Sequence, residues 1–391
     1  MNSILDEMSR TMKKIFVICA TYPFENDYGG VFIRDQCLML KEAGYDICVL
    51  YCAGSSRLNT LYPEESKKIE LFEDQGIKVF RHCSFRFAAT YTVPLLVYTI
   101  QKSADYIYKY SINQVGVPDV LIAHFSYPAG IGAAFLSKKY HIPLITVEHL
   151  SLLLKPNARP WINNEIKKVI SQSSEFVCVS TGLANGLNKR LHIDRHFRII
   201  PNMIDPKFSY FEKSNHDKYV FLSVGSLIPR KNHELLIRAF ARAFSKNEGI
   251  ELRIVGDGVL RSKLENLCLK LGIHKQVVFT GGLSRENVKR EYENSDCFVL
   301  LSISESFGIV YREAMAIGRP VISTDHIGIR EDWDDRFGVI LEDNTIECAS
   351  DALVKTYNTV FDKQYIAKRM QELYSIDVIQ NKYIRVIEST V

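Results

Sequence analysis

Val299-Leu300-Leu301-Ser302-Ile303-Ser304-Glu305-Ser306-Phe307-Gly308-Ile309-Val310-Tyr311-Arg312-Glu313-Ala314-Met315-Ala316 reads as a short apolar strand, a tight loop marked by Ser306 and Gly308, and a helix. Glu305 then falls in the loop and Glu313 near the first helical turns. On one continuous helix the same offset would set the two acids about 80° apart, on roughly the same side. A helix N-terminus with exposed N–H groups beside two carboxylates suits a hydroxyl-rich, phosphate-bearing ligand.

Strand followed by helix is also the unit of the rest of the chain, which makes two passes of the pattern expected for parallel sheets covered by helices. The first pass starts at Lys14-Ile15-Phe16-Val17-Ile18-Cys19, followed by a loop with Gly29-Gly30 and a helix with apolar Phe32, Leu38, Leu40 and Ala43. Its further strands are expected at 47–50, 120–123, 144–147, 176–179 and 198–200. A second pass runs from Tyr219-Val220-Phe221-Leu222-Ser223-Val224 through strands near 252–255, 277–279 and 297–300 to Val321-Ile322-Ser323. Asn232 is placed to cap a helix whose Leu235, Leu236, Ala239, Phe240, Ala243 and Phe244 form one apolar stripe. Between the passes, Pro201-Asn202-Met203-Ile204-Asp205-Pro206 and the polar residues 212–217 read as a linker. The expected division is residues 1–205, residues 206–375 and a helical tail, 376–391, packing back on the first domain.

Bulk composition fits this reading. The 391 residues are 47% hydrophobic and 24% charged, values of a globular protein long enough for two domains. No apolar run reaches the roughly 18 residues of a membrane span, and the opening Met1-Asn2-Ser3-Ile4-Leu5-Asp6-Glu7 lacks the features of a signal peptide, so a cytoplasmic protein is expected. The nine cysteines form no C-x-x-C pair and read as reduced core residues. The whole formal charge of +4 lies up to Asp205, where 23 Lys+Arg face 19 Asp+Glu. With no basic stripe or aromatic platform this excludes nucleic acid as a partner, while leaving room for a weakly anionic surface.

Two Rossmann-like halves would leave a cleft at the carboxyl ends of their strands, where open parallel sheets bind ligands. The motifs fall at those ends. After the strand 219–224 come Gly225-Ser226-Leu227-Ile228-Pro229-Arg230-Lys231-Asn232. Arg230 offers bidentate bonds and Lys231 a point charge to a diphosphate, although the same residues could form a solvated loop. Gly29-Gly30, Gly256-Asp257-Gly258 and Gly281-Gly282 each allow close backbone approach after a strand, or simply a turn. The G-x-G-x-x-G and G-x-x-x-x-G-K-[ST] patterns are absent, against a dehydrogenase or an ATPase. His149, directly after the strand 144–147, would point into the cleft as a catalytic or a structural residue, and His124 has the same ambiguity.

Taken together, these segments resemble the retaining nucleotide-sugar glycosyltransferases of family 4, of the GT-B fold with two facing Rossmann-like domains. The resemblance rests on Glu305 to Glu313, similar to the family's E-x7-E element, with Gly29-Gly30, Glu148-His149, Ile200-Pro201-Asn202-Met203-Ile204-Asp205, and Gly225 with Arg230-Lys231-Asn232 in the same order. It covers nearly the whole chain and extends to transferases that build surface polysaccharides. It implies a hexosyltransferase whose donor is a UDP-sugar or GDP-sugar, with no metal and no other cofactor. By the same resemblance Arg230 and Lys231 hold the donor diphosphate, with Gly225, Gly282 and, from the other domain, Gly30 close to the nucleotide. Glu313 takes the ribose hydroxyls and Glu305 the sugar. Ser306, Phe307, Gly308, Ile309 and Val310 offer backbone N–H groups, and His149 bonds the sugar. The family's Gly-Gly pair before Glu331 is replaced here by His326-Ile327-Gly328-Ile329-Arg330.

The acceptor is expected to be a saccharide, with a polyprenyl-linked saccharide as one form. The aromatic, apolar segment Phe85 to Tyr98 is either a core helix or a peripheral contact with the inner face of the cytoplasmic membrane. Rival readings are a GT-B-fold nucleotide-sugar 2-epimerase and an inactive sugar-nucleotide-binding scaffold.

Overall fold

A computed structural model of the chain describes residues 12–24, 29–54, 68–84, 93–149, 160–213 and 218–391. The reading of the first residues, the part of the aromatic segment before Val93 and part of the polar linker lie outside the described residues. The chain forms two compact units: residues 1–201 with 379–391, and residues 202–378.

Eight strands form the sheet of the first unit: β1 (Lys14–Cys19), β2 (Asp46–Gly54), β3 (Ile69–Asp74), β4 (Ile77–Ser84), β5 (Val120–His124), β6 (Leu144–Glu148), β7 (Glu175–Cys178) and β8 (Arg198–Ile199). Their order is β3-β4-β2-β1-β5-β6-β7-β8, and every pair is parallel except β3 with β4. Parallel strands covered on both faces need continuous apolar sequence, and β5 and β6 are buried at all five positions. The hairpin β3–β4 adds a pair that the two-pass reading lacks. Gln75 and Gly76 turn it with left-handed backbone at φ 51° and 77°, a conformation suited to a tight hairpin.

The helix Val31–Glu42 buries Ile33, Gln36, Cys37, Met39 and Leu40. The expected face through Phe32 and Leu38 is therefore corrected: it is turned part-way to the surface, and Phe32 instead packs on His149 and Phe125. The helix Ile376–Thr390 buries Ile379, Tyr383, Val386 and Ile387; its Gln380 Nε2 donates to Met39 O, and Tyr383 hydrogen-bonds with Gln36.

The second unit carries β9 (Tyr219–Val224), β10 (Ile250–Val255), β11 (Val277–Gly281), β12 (Cys297–Leu300), β13 (Val321–Ser323) and β14 (Gly338–Ile340). All are parallel, in the order β11-β10-β9-β12-β13-β14. Counted from β9 this is the doubly wound order 3-2-1-4-5-6, whose direction reverses between β9 and β12. Its core joins Phe221, Leu252 and Val299 of the strands to Leu236 and Phe240 of the helix His233–Phe244, which carries the expected stripe. Asn232 precedes that helix in left-handed backbone, φ 52°, and its side chain forms no cap, contrary to expectation. The three-residue β14 continues the pass beyond Val321–Ser323. Residues 202–205 belong to this unit because Ile204 N donates to Tyr374 O and Asp205 pairs with Arg285. Among the described residues no helix is long and apolar enough to cross a membrane.

Candidate active site

The reversal of strand order between β9 and β12 separates the connections leaving their carboxyl ends and opens a crevice there. Both connections carry the predicted donor residues. After β9 the backbone passes Gly225 and makes a 3-10 turn, Pro229–Lys231. After β12 it enters the loop Leu301–Gly308. The two are laced together: Ile303 N donates to Arg230 O at 2.8 Å and Arg230 Nη1 to Ser304 O at 2.9 Å.

Glu305 closes this arrangement. Lys231 Nζ lies 2.7 Å and Arg230 Nη1 2.9 Å from the same Glu305 oxygen. Burial opposes a charge on Glu305, but the charges of Lys231 and then Arg230 outweigh it and hold the carboxyl below its ordinary range. The three groups carry a net charge of one positive unit. The buried ring of His233, which feels the Lys231 charge, has its pKa pushed down to about 4 by burial and then by Lys231, so it adds no charge near neutrality.

The segment where this chain departs from the family pattern supports the Glu305 loop directly. His326 caps the short helix Ile327–Arg330 by accepting Ile329 N at Nδ1, and its Nε2 lies 3.2 Å from Tyr311 Oη and 3.3 Å from Ser323 Oγ. Gly328 N donates to Glu305 O at 3.1 Å. A Cβ on Gly328 would stand 2.9 Å from both Glu305 O and Phe307 N, so only glycine fits without moving the loop.

Gly308, in left-handed backbone at φ 75°, starts the helix Ile309–Ala316. The N–H groups of Ile309 and Val310 fall in its first turn, where no carbonyl of the same helix can accept them. Phe307 presents only its backbone: its ring is buried against Tyr374, with the Arg312 guanidinium over it. Glu313 lies in this helix and Glu305 in the loop, so the two acids occupy separate surroundings. Glu313 is buried, accepts from Tyr292 Oη at 3.3 Å, and pairs with Arg285 Nη2 at 3.4 Å, while Arg285 Nε donates to Asp205 at 2.9 Å.

Gly282 follows β11 with open space where a Cβ would stand, and Gly281 O accepts Gly256 N. Gly225 lies under the Lys231 side chain, whose Cε is 3.4 Å from where a Cβ would sit. The structure thus groups Gly225, Arg230, Lys231 and Glu305, gives Glu313 partners of its own in Arg285 and Tyr292, and sets Gly282 at another strand end of the same unit.

Gly30 and His149 belong to the first unit. Gly30, φ 80°, begins the helix Val31–Glu42, and a Cβ there would meet Thr21 O at 2.8 Å. His149 follows β6, its ring 4.7 Å from Phe32, so the glycine loop and the histidine meet through Phe32. His149 Nε2 is 3.0 Å from His124 Nδ1. Burial, first, and then His124 push the His149 pKa well below its ordinary value. His124 was legible only as an ambiguous histidine, and Arg285, Tyr292 and Gly328 carried no signal in a single sequence beyond lying near recognised motifs.

Residues 29–208 match the family described as Glycosyltransferase Family 4, and residues 206–372 match Glycosyl transferases group 1. Two uncharacterized glycosyltransferases of Methanocaldococcus jannaschii are similar to the chain. One is 36% identical over 147 residues, 34% of this chain and 37% of that protein; the other is 29% identical over 349 residues, 88% of each. The N-acetyl-alpha-D-glucosaminyl L-malate synthase of Bacillus anthracis is 27% identical over 331 residues, 81% of this chain and 80% of the relative. Among solved structures, a sucrose-phosphate synthase from Thermosynechococcus elongatus superposes with TM-score 0.75 at 17% identity, covering 97% of this chain and 99% of that one. The Anabaena protein HepE, solved with UDP and glucose, superposes with TM-score 0.69 at 16% identity, covering 97% and 100%. At these identities the structural likeness shows the fold.

Two Rossmann-like units of mostly parallel strands, each with its family match, define a glycosyltransferase of the GT-B type. Within that class the first unit is similar to the Glycosyltransferase Family 4 model and the second to the Glycosyl transferases group 1 model.

Proposed function

We propose that the chain is a retaining hexosyltransferase that uses a UDP- or GDP-sugar and a saccharide or lipid-linked saccharide acceptor in polysaccharide or glycoconjugate biosynthesis. The observation that carries this reading is the Arg230–Lys231–Glu305 cluster at the strand-order reversal of the group 1 domain.

A diphosphate entering this crevice competes with Glu305 for the two cations. Its charge grows as the bond from sugar C1 to phosphate oxygen breaks, so Lys231 and Arg230 bind the departing diphosphate more strongly than the intact donor, which is the condition for lowering the barrier. Glu305, freed in part from its counter-ions, turns to the sugar hydroxyls. The acceptor oxygen bonds to C1 on the face that the phosphate leaves, and the acceptor proton passes to a phosphate oxygen. Glu313 takes the ribose hydroxyls, with Arg285 and Tyr292 fixing its carboxylate. The family resemblance assigns His149 a bond to the sugar and Gly30 backbone access to phosphate. No residue here is asked to hold a metal. The family matches favour transfer over 2-epimerisation.

The test is a panel of UDP-, GDP- and ADP-sugars with soluble and lipid-linked acceptors, following nucleotide release and product anomer by NMR. The expected product keeps the donor's anomeric configuration, and Lys231→Ala abolishes its formation. Unchanged transfer in Lys231→Ala and Glu305→Gln would remove the site, and an inverted product would remove the retaining assignment.

A further inference from the structure

Two buried histidines of the first unit share one hydrogen bond, and the proposed reaction uses only one of them. His124 ends β5 and is fully buried; His149 follows the neighbouring strand β6 and is nearly so. Their rings lie 25° apart in plane, with His124 Nδ1 3.0 Å from His149 Nε2. The other nitrogen of each ring, His124 Nε2 and His149 Nδ1, is buried with no hydrogen-bond partner. Glu148, the carboxylate beside them, accepts from the backbone N–H of Ser126 and of His149, both at 2.9 Å, and from Ser126 Oγ.

The bookkeeping of protons in such a pair is strict. Two nitrogens 3.0 Å apart hold one proton between them, so the rings cannot choose their tautomers independently. If His124 donates, both rings carry their proton on Nδ1, and the buried Nδ1 of His149 is an N–H. If His149 donates, both rings carry it on Nε2, and the buried Nδ1 of His149 keeps a lone pair. The second arrangement places each ring in the form that an alkyl imidazole prefers intrinsically. It also suits the chemistry: a lone pair attracts the positive charge that grows on the sugar as its bond to phosphate breaks, whereas an N–H or an imidazolium would repel it.

We propose that His124 is a positioning residue that holds His149 as a neutral Nε2–H imidazole, so that the buried, unpartnered Nδ1 of His149 keeps its lone pair for the sugar. Burial presses the same way, since it drives the His124 pKa down to about 3 and that of His149 well below its ordinary value. This inference rests on the reading of His149 as a sugar-bonding residue, but its structural half can be tested without any substrate.

Long-range 15N–1H NMR of the full chain with 15N-labelled histidine reads the tautomers directly. At pH 7 the His149 Nδ1 is expected at the shift of an unprotonated ring nitrogen and Nε2 at that of a protonated one. In His124→Asn the amide oxygen takes the place of Nδ1 as acceptor, and the His149 pattern should persist. In His124→Leu no acceptor remains, and the His149 shifts should move toward averaged values. Transfer should follow: kcat falls about tenfold in His124→Leu, the worth of one hydrogen bond, with KM for the donor within about twofold, and recovers in His124→Asn. An Nδ1–H pattern for His149 in the unaltered protein, or the same His149 shifts in His124→Leu, would overturn the proposal. Intact NMR behaviour with full transfer by His149→Ala would instead overturn the role of His149 and leave the tautomer assignment standing.

Discussion

Replacing Glu305 by glutamine removes one charge and leaves the shape of the site, and the structure gives the two consequences opposite signs. Lys231 Nζ and Arg230 Nη1 lie 2.7 and 2.9 Å from one carboxylate oxygen. At an effective dielectric of about 20, each pair is worth about 6 kcal/mol before desolvation is counted, and desolvation of the three groups offsets most of that. The Arg230 side chain is 28% exposed, so solvent screens the cations that Glu305→Gln leaves behind. The net cost falls below the 3–5 kcal/mol of a fully buried broken pair, at about 1–3 kcal/mol, or a fall of roughly 3 to 10 °C in melting temperature.

The sign of the pH dependence follows from the direction of the shift. Burial works against the Glu305 charge, but Lys231 and Arg230 prevail and depress its folded pKa, so its contribution is complete above the ordinary value of 4.5 and is lost as pH falls through the folded value. The gap in melting temperature between the unaltered protein and Glu305→Gln should therefore be full at pH 7 and close as the pH drops below 4.5. Nucleotide binding should go the other way. The cluster changes from one net positive charge to two, so calorimetric titration with UDP and GDP should show equal or tighter binding in Glu305→Gln for whichever nucleotide the protein takes, while Lys231→Ala weakens it by about 10- to 100-fold. Transfer falls in both. If Glu305→Gln weakens nucleotide binding as much as Lys231→Ala does, or if its melting temperature matches the unaltered protein at pH 7, the assignment of Glu305 as the counter-ion that a diphosphate displaces is refuted.

Gly328→Ala puts a methyl group against the backbone at Glu305 and Phe307, at a cost of about 1–3 kcal/mol, and displacement of the Glu305 loop should lower kcat/KM by 10-fold or more. A crystal structure of the variant with the loop unmoved and full transfer would contradict this. Arg285→Met keeps an apolar side chain over Phe208 but removes the ion pairs to Asp205 and Glu313, so the donor KM should rise several-fold with kcat nearly unchanged. Steady-state kinetics with donor varied at saturating acceptor decide it, and an unaltered KM would assign Arg285 to the linker alone.

The legible parts of this fold are those in which one short stretch contains its own instructions. The strands 14–19, 120–124 and 297–300 are apolar runs ended by loop residues, and burial on both sheet faces permits nothing else. The hairpin β3–β4 was missed because Ile69-Glu70-Leu71-Phe72-Glu73-Asp74 pairs at the sheet edge, where polar positions weaken the pattern. Phe32 looked like a core residue by composition; only its contact with His149, more than a hundred residues away, shows what its ring packs on. In the site, Arg230, Lys231, Glu305 and Glu313 could be named because loop and helix signals surround them. Their partition could not, since the counter-ion geometry of Glu305 and the pairing of Glu313 with Arg285 depend on segments brought side by side by the strand order.

The helix Ile376–Thr390 gives the first unit a place in time as well as in space. Its residues from Ile379 onward count with residues 1–201, and through Gln380 and Tyr383 they hold the helix that begins at Gly30. During synthesis the second unit has all of its chain before that final stretch leaves the ribosome. The unit begun first is therefore completed last, and the glycine loop proposed to meet the donor phosphates gains its final support only when the other unit can already be folded.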